Sequence, residues 1–217
     1  FTSTGAGRPS GPGLCRALAR YAAAGDHPRR ILEVGPGTGV VTDVILRRMG
    51  PDDTLELVEL NQRFADVLRQ RLDSEPAWQA AAPRVHLHES AVEDFLPDAR
   101  FDAIVSGLPL NNFPVAAVEH ILAHLSRLGR PGATLSFFEY VGVREAKIAV
   151  SRKAERTRLS GVGRTLRTVI RERRFERQLV LANIPPAWVH HLRLPDGTTF
   201  VCCDPGETEA ATGGSPR

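Results

Sequence analysis

Residues 30–39 constrain this chain more than any other stretch. Arg30-Ile31-Leu32-Glu33-Val34 is a short apolar run with strand character, and Gly35-Pro36-Gly37-Thr38-Gly39 follows without a break. Residues 40–49 then carry apolar side chains at helical spacing. Gly50-Pro51 ends that helix, and Arg47 and Arg48 stand in its last turn, where cations suit the helix dipole. A strand that passes through glycines straight into a helix opens a βαβ unit, with a crevice at the strand's carboxyl end where a nucleotide-like ligand sits. Glycines there let the backbone come close to whatever occupies the crevice.

The alternation continues along the chain. Residues 54–60, 85–88, 101–106 and 134–140 read as further strands, and 61–72 and 114–128 as helices, the latter with Pro114 in its first turn and Gly129 just past its end. Strands alternating with helices at this spacing imply a parallel sheet. Beyond Tyr140 a long basic helical stretch precedes two strand-like runs, 174–183 and 188–194, separated by prolines and expected to pair. The expected architecture is an α/β, Rossmann-like domain: a mostly parallel seven-stranded sheet with a C-terminal β-hairpin. Residues 1–29 read as an irregular leader and a short helix over 14–24, residues 30–200 as the domain, and 204–217 as a disordered tail rich in Gly, Glu, Thr, Ala, Pro and Ser.

Dinucleotide-binding turns run G-x-G-x-x-G, their third small residue packing helix to strand beside a pyrophosphate. Here the spacing is G-x-G-x-G, with Val40 where that fingerprint wants a small residue. Glu59 ends the second strand, where a carboxylate accepts hydrogen bonds from both ribose hydroxyls. Glu33-Val34-Gly35-Pro36-Gly37-Thr38-Gly39 followed by Val58-Glu59-Leu60-Asn61 resembles motifs one and two of the class I S-adenosylmethionine-dependent methyltransferases, the class I methyltransferase fold. The resemblance implies S-adenosylmethionine as cofactor and S-adenosylhomocysteine as product. Gly35, Gly37 and Gly39 would wrap the methionine part, Glu33 would help orient it, and Glu59 and Asn61 would also bind the cofactor. Many members place an Asp after the third strand, against the adenine amino group. This chain has His88-Glu89-Ser90-Ala91-Val92, so Ser90, Ala91 and the backbone near Val92 are expected there, with Glu93 as another candidate. Ser106 completes the expected cofactor set.

The acceptor is argued from residues 106–114, Ser-Gly-Leu-Pro-Leu-Asn-Asn-Phe-Pro, at the carboxyl end of the fourth strand, where functional residues of such sheets collect. Ribosomal RNA adenine dimethyltransferases look similar over the first 110 residues but carry Asn-Leu-Pro-Tyr at this point. Gly107-Leu108-Pro109-Leu110 lacks both the Asn for the base's amino group and the aromatic that a flipped base stacks on. Phe113 is only a partial substitute, so nucleic acid is not the expected partner. Ser-Gly-Leu-Pro-Leu with Phe113-Pro114 resembles instead the soluble bacterial phospholipid N-methyltransferases, which convert phosphatidylethanolamine stepwise to phosphatidylcholine. Gly5-Ala6-Gly7-Arg8-Pro9-Ser10, Phe138-Glu139-Tyr140 and Asn183-Ile184-Pro185-Pro186-Ala187 carry that resemblance across residues 2–194. It implies a phospholipid substrate, with Leu108, Pro109 and Asn183 against it, the other reading of Asn183 being that it caps or positions the final strand. Family members also carry an amphipathic helix ahead of the leader, and because the chain begins at the leader that helix is expected to be missing from it. An RNA adenine methyltransferase and a non-catalytic membrane-associated module are the competing readings.

Charge supplies an independent constraint. Residues 144–177 hold twelve Lys/Arg against four Glu, while the whole chain is only +3. A block this asymmetric suggests an anionic partner; with a lipid acceptor it is expected to rest on an anionic membrane surface, the alternative being a solvated Arg-rich helix pair. The chain has no run of 18 apolar residues, no signal-peptide-like start, and three cysteines that form neither a disulfide framework nor a zinc-spaced pair. The expected location is cytoplasmic, peripheral to the inner membrane. Direct methyl transfer needs no metal, so His120 and His124, one helical turn apart, read as surface-helix residues, and Cys202-Cys203 as an unliganded pair. Tyr140 is the first candidate for orienting the amine, through its hydroxyl and ring face, against a reading as strand-end packing. Glu139 alternates to the other face of the strand.

Overall fold

The computed structural model describes residues 11–23 and 27–195. The motif at residues 5–10, Cys202-Cys203 and the tail lie outside the described residues. Seven strands, β1 (Arg30–Val34), β2 (Thr54–Val58), β3 (Val85–His88), β4 (Phe101–Ser106), β5 (Gly129–Tyr140), β6 (Arg174–Val180) and β7 (Ala187–Arg193), form one sheet in the order β3-β2-β1-β4-β5-β7-β6. β1 to β5 run parallel, and β7 is antiparallel to both β5 and β6. Strand order switches direction between β1 and β4, so a crevice opens at their carboxyl ends.

Both faces of the sheet are covered, which is why β1 and β4 are apolar nearly throughout rather than alternating. On one face α1 (Pro12–Leu18), α2 (Val40–Leu46), α3 (Gln62–Ser74) and α4 (Pro76–Ala81) bury Leu14, Leu18, Ile31, Ile45, Leu57, Leu68 and Trp78 together. On the other, α5 (Val115–Leu128) and α7 (Lys153–Arg173) bury Leu32, Phe101, Ile104, Leu122, Phe137 and Leu166. α6 (Val143–Val150) joins β5 to α7. The inward stripe of α7 is Leu159, Val162, Leu166, Val169 and Ile170, at the helical period that its arginines obscure in the sequence.

The boundaries differ from expectation where short elements meet. The first helix gives way to a 3-10 turn at Ala19–Tyr21, and α2 stops at Leu46. α4 is the element that periodicity missed. It is only six residues long, with Pro76 at its start and Trp78 fully buried, too short to show a helical stripe. β5 reaches back to Gly129, which pairs with Phe101 before a register shift. The first hairpin strand is shorter than 174–183 because the segment between Val180 and Ala187 is a turn, and the second lies one residue earlier than 188–194. That turn contains a cis Ile184–Pro185 bond. Asn183 holds it: Oδ1 accepts from the Gly11 amide at 2.9 Å, and Nδ2 donates to the Pro185 carbonyl at 2.7 Å.

A candidate cofactor and acceptor site at the strand ends

The glycine loop leaves β1 with three residues in the left-handed region, Gly35, Gly37 and Gly39, at φ +68°, +59° and +81°. Their surroundings divide their tasks. A methyl group on Gly39 would lie 2.6 Å from the Trp78 ring, so this glycine lets α2 seat against α4. One on Gly35 would meet Leu108 at 3.0 Å, so the β1 and β4 loops touch there. At Gly37 nothing stands within 4 Å: this is the member of the three that faces open space, as a ligand-approached backbone must.

Glu59 sits across from it and is buried. One carboxylate oxygen accepts from the Gly37 amide at 3.0 Å and the other from the Asn61 amide at 2.8 Å. Each oxygen has a second lone-pair direction, so the vicinal hydroxyls of a ribose find two acceptors in a fixed plane. Asn61 itself caps α3, accepting from Arg63 N at 3.0 Å. Leu60, between them, is 66% exposed. It is an apolar side chain beside a ribose-sized acceptor pair, available to pack on a base, and a lone leucine after a strand carries no signal in the sequence.

The end of β2 is tied to β3 by Glu59 N donating to His88 O at 3.0 Å. That places Ser90 and Ala91, both half-buried, alongside Leu60. Val92 points its side chain into the core, so only its backbone is available, and Glu93 is exposed. Ser106 is buried at the end of β4, its Oγ 3.4 Å from the Leu108 amide.

Glu33 is 2% exposed. Its Oε2 accepts from the Thr42 hydroxyl at 2.7 Å. Burial pushes its carboxyl up to about 8; the Thr42 bond opposes this, while Glu59 and Asp43 add to it. At neutral pH the group is therefore mostly a neutral acid. A ligand cation placed near it would draw the pKa down again.

Arg71 is a residue the sequence did not suggest. Its guanidinium binds Asp43 at 2.8 Å, Glu75 at 2.7 Å and the Thr38 carbonyl at 2.9 Å, and it stacks on Trp78 at 4.3 Å. Trp78 Nε1 in turn donates to Asp43 at 2.7 Å. This network fixes the far side of the glycine loop.

In the β4 loop, a methyl group on Gly107 would lie 2.5 Å from the Gly35 carbonyl oxygen, and the Gly107 amide donates to Val34 O at 2.8 Å. The two loops are in backbone contact, and only glycine fits between them. Leu110 is buried in the core, and Phe113 packs against the same cluster. Neither is presented as a stacking surface. Pro109 is exposed and Leu108 half-buried.

Tyr140 is half-buried at the end of β5. Its ring meets Phe138 edge-on at 5.1 Å, and burial raises its hydroxyl pKa, so it stays protonated. Glu139 lies on the opposite face. Burial alone would raise its carboxyl, but His190, 3.3 Å away, and Arg144, 2.6 Å away, outweigh that and hold it ionised. Asn183 has both ends of its amide engaged by backbone and is buried, so it shapes the turn. His124 corrects the surface-helix reading: it is buried, with Nε2 3.2 Å from Phe95 O. Among the described residues no group of three His, Cys, Asp or Glu is arranged to hold a metal ion, and no helix is long and apolar enough to cross a membrane.

Residues 31–132 match the methyltransferase domain family. Over these residues the chain is thus similar to a methyltransferase domain, and its sheet order and loop geometry are those of the class I, S-adenosylmethionine-dependent methyltransferase fold. S-Adenosylmethionine is its cofactor, and Gly37, Glu59 and the rim beside them fit it. Solved structures with this fold include the N-methyltransferase NodS from Bradyrhizobium japonicum with S-adenosyl-L-homocysteine (TM-score 0.59, 15% identity, covering 84% of this chain and 86% of that one). Another is the O-methyltransferase TomG from Streptomyces achromogenes with S-adenosylmethionine (TM-score 0.56, 21% identity, 83% and 78% covered). Among curated relatives, an ornithine lipid N-methyltransferase from Singulisphaera acidiphila is 28% identical over 133 residues, 59% of this chain and 66% of that protein. A tRNA1(Val) (adenine(37)-N6)-methyltransferase from Cronobacter sakazakii is 30% identical over 90 residues, 41% of this chain. The chain thus spans just under two thirds of the first relative and 35% of the second.

Proposed function

We propose that this protein transfers methyl groups from S-adenosylmethionine to the headgroup amine of a membrane lipid, with phosphatidylethanolamine and its mono- and dimethyl forms as acceptors on the way to phosphatidylcholine. The observation that carries the acceptor is the β4 loop. With Gly107 wedged against Gly35 and Leu110 in the core, the loop has no sandwich for a flipped base. What the loop presents outward is exposed Pro109 and half-buried Leu108, a rim that a small amine can approach. The lipid N-methyltransferase relative supports the same acceptor class; the tRNA methyltransferase relative is the competing one.

When bound, the cofactor supplies an electrophilic methyl group, and direct in-line attack by an amine needs no covalent enzyme intermediate. The chain's own tasks are positioning and exclusion of water. Glu59 and the open Gly37 backbone hold the donor at the rim, and Ser90, Ala91, the Val92 backbone and Ser106 line it. Leu108 and Pro109 border the acceptor. The Tyr140 hydroxyl, held protonated, orients the amine rather than taking its proton, which leaves to solvent. Its ring face suits the increasingly methylated, cationic products. Incubating the full-length protein with methyl-labelled S-adenosylmethionine and phosphatidylethanolamine vesicles tests this by lipid chromatography. Label in mono-, di- and trimethylated lipid supports the proposal, and absence of labelled lipid refutes it.

A further inference from the structure

The basic block does not act as one surface. β6 rises from Arg174 to Val180, six strand steps or about 20 Å. Arg174 therefore lies far below the strand ends, more than two screening lengths of about 8 Å. Other members are committed inside the protein: Arg144 to Glu139 at 2.6 Å, Arg158 to Glu155 at 2.6 Å and to the Asn111 carbonyl at 3.0 Å, and Arg177 over the Trp188 ring at 3.9 Å. The contacts from Arg158 to Asn111 and Phe113 place the start of α7 at the catalytic end of the sheet. The exposed cations Lys147, Arg152, Lys153 and Arg156 gather at that end, on α6 and the first turn of α7.

The same end carries apolar side chains with nothing over them. β7 begins at Ala187 opposite Tyr140, so the β6–β7 turn stands beside the carboxyl end of β5. Leu181 and Ile184 at this turn are 70% and 79% exposed. Val141, 40% exposed, is joined to the turn by its amide donating to Pro186 O at 2.8 Å. Asn183 pins the turn from within. Two large apolar tips on a braced turn, flanked by cations and level with the acceptor loop, match an anionic bilayer: the tips enter the acyl boundary while the cations meet the headgroups.

Resting on the lipid-methylation reading, we infer that Leu181 and Ile184 form a membrane-inserting wedge that, with Arg152 and Lys153, sets the catalytic end against an anionic lipid surface. The arginines at the far end of the block take no part. The test is sedimentation of the full-length protein with vesicles of phosphatidylglycerol and phosphatidylcholine in equal parts, which contain no amine to methylate. Leu181→Gln/Ile184→Gln and Arg152→Gln/Lys153→Gln are each expected to weaken binding about tenfold, the equivalent of about 1.4 kcal/mol. Arg171→Gln/Arg174→Gln, which removes the same charge, is expected to leave binding unchanged. All three keep the wild-type melting temperature and S-adenosylhomocysteine affinity, because the substituted side chains are exposed. Binding of the wedge variant at wild-type strength, or equal loss from the near and far charge pairs, overturns the inference. Wedge-dependent vesicle binding with no methylated lipid would leave it standing and refute the proposed reaction. Methylated lipid with an indifferent wedge would do the reverse.

Discussion

Glu33 makes folding stability depend on pH in a direction opposite to that of most carboxylates. Its carboxyl, near 4.5 in an unfolded chain, is pushed up to about 8 by burial. Between those values the folded protein holds a proton that the unfolded chain releases, so stability is full below the unfolded pKa and is lost as pH rises through the folded one. Each pH unit in that window costs about 1.4 kcal/mol. From about pH 6.5 to about pH 8 the loss approaches 2 kcal/mol, or about 4–8 °C of melting temperature for a domain of this size. Glu33→Gln keeps the shape and an acceptor for the Thr42 hydroxyl but cannot titrate. Melting curves of both proteins across that range, taken as a difference so that the other titrating groups cancel, should show the variant gaining steadily with pH. Parallel curves would refute the assignment of a buried neutral acid. The same reasoning expects cofactor binding to release a proton, because a cation next to Glu33 favours its ionised form.

Further substitutions probe the other contacts. Gly107→Ala places a methyl 2.5 Å from Gly35 O, so it should cost about 1–3 kcal/mol of stability and weaken S-adenosylhomocysteine binding in calorimetry; an unchanged melting temperature would contradict the loop contact. Arg71→Met removes the bonds to Asp43, Glu75 and Thr38 O and should lower S-adenosylhomocysteine affinity about tenfold, about 1.4 kcal/mol, with wild-type affinity counting against the network's role. The Cys15 thiol is raised to about 11, chiefly by burial, so at neutral pH it is almost wholly protonated and unreactive. Peptide mass analysis should find Cys15 alkylated by iodoacetamide only after denaturation.

The β1 loop and its fold were legible because each signal was local. A β-branched run, three glycines and a helix are contiguous, and Glu59 follows at the end of the next strand. What stayed hidden depended on contacts across the chain. That Gly37 is the open glycine while Gly39 serves Trp78 requires knowing where α4 lies, and α4 is too short to announce itself. Gly107 looked like the loss of a base-binding Asn, whereas in the fold it is the point where two loop backbones touch. Asn183 reads in the sequence either as positioning the final strand or as touching substrate, and the bonds that engage its amide at the β6–β7 turn come from Gly11 and Pro185, one of them far away in the chain. The charge of residues 144–177 was plain in the sequence, but its division between a catalytic-end cluster and a remote flank follows from the direction of α7 and β6.

In the proposed reaction the cofactor held at the Glu33–Gly39 loop methylates a lipid amine at residues 106–114. Its most direct test offers both acceptors at once: full-length protein, methyl-labelled S-adenosylmethionine, phosphatidylethanolamine vesicles and deproteinised total RNA in one reaction, with the label then partitioned between lipid and RNA. Label is expected in the lipid, and is expected to be lost in Glu59→Ala along with S-adenosylhomocysteine binding. Label in RNA adenine, with the lipid unlabelled, would contradict it.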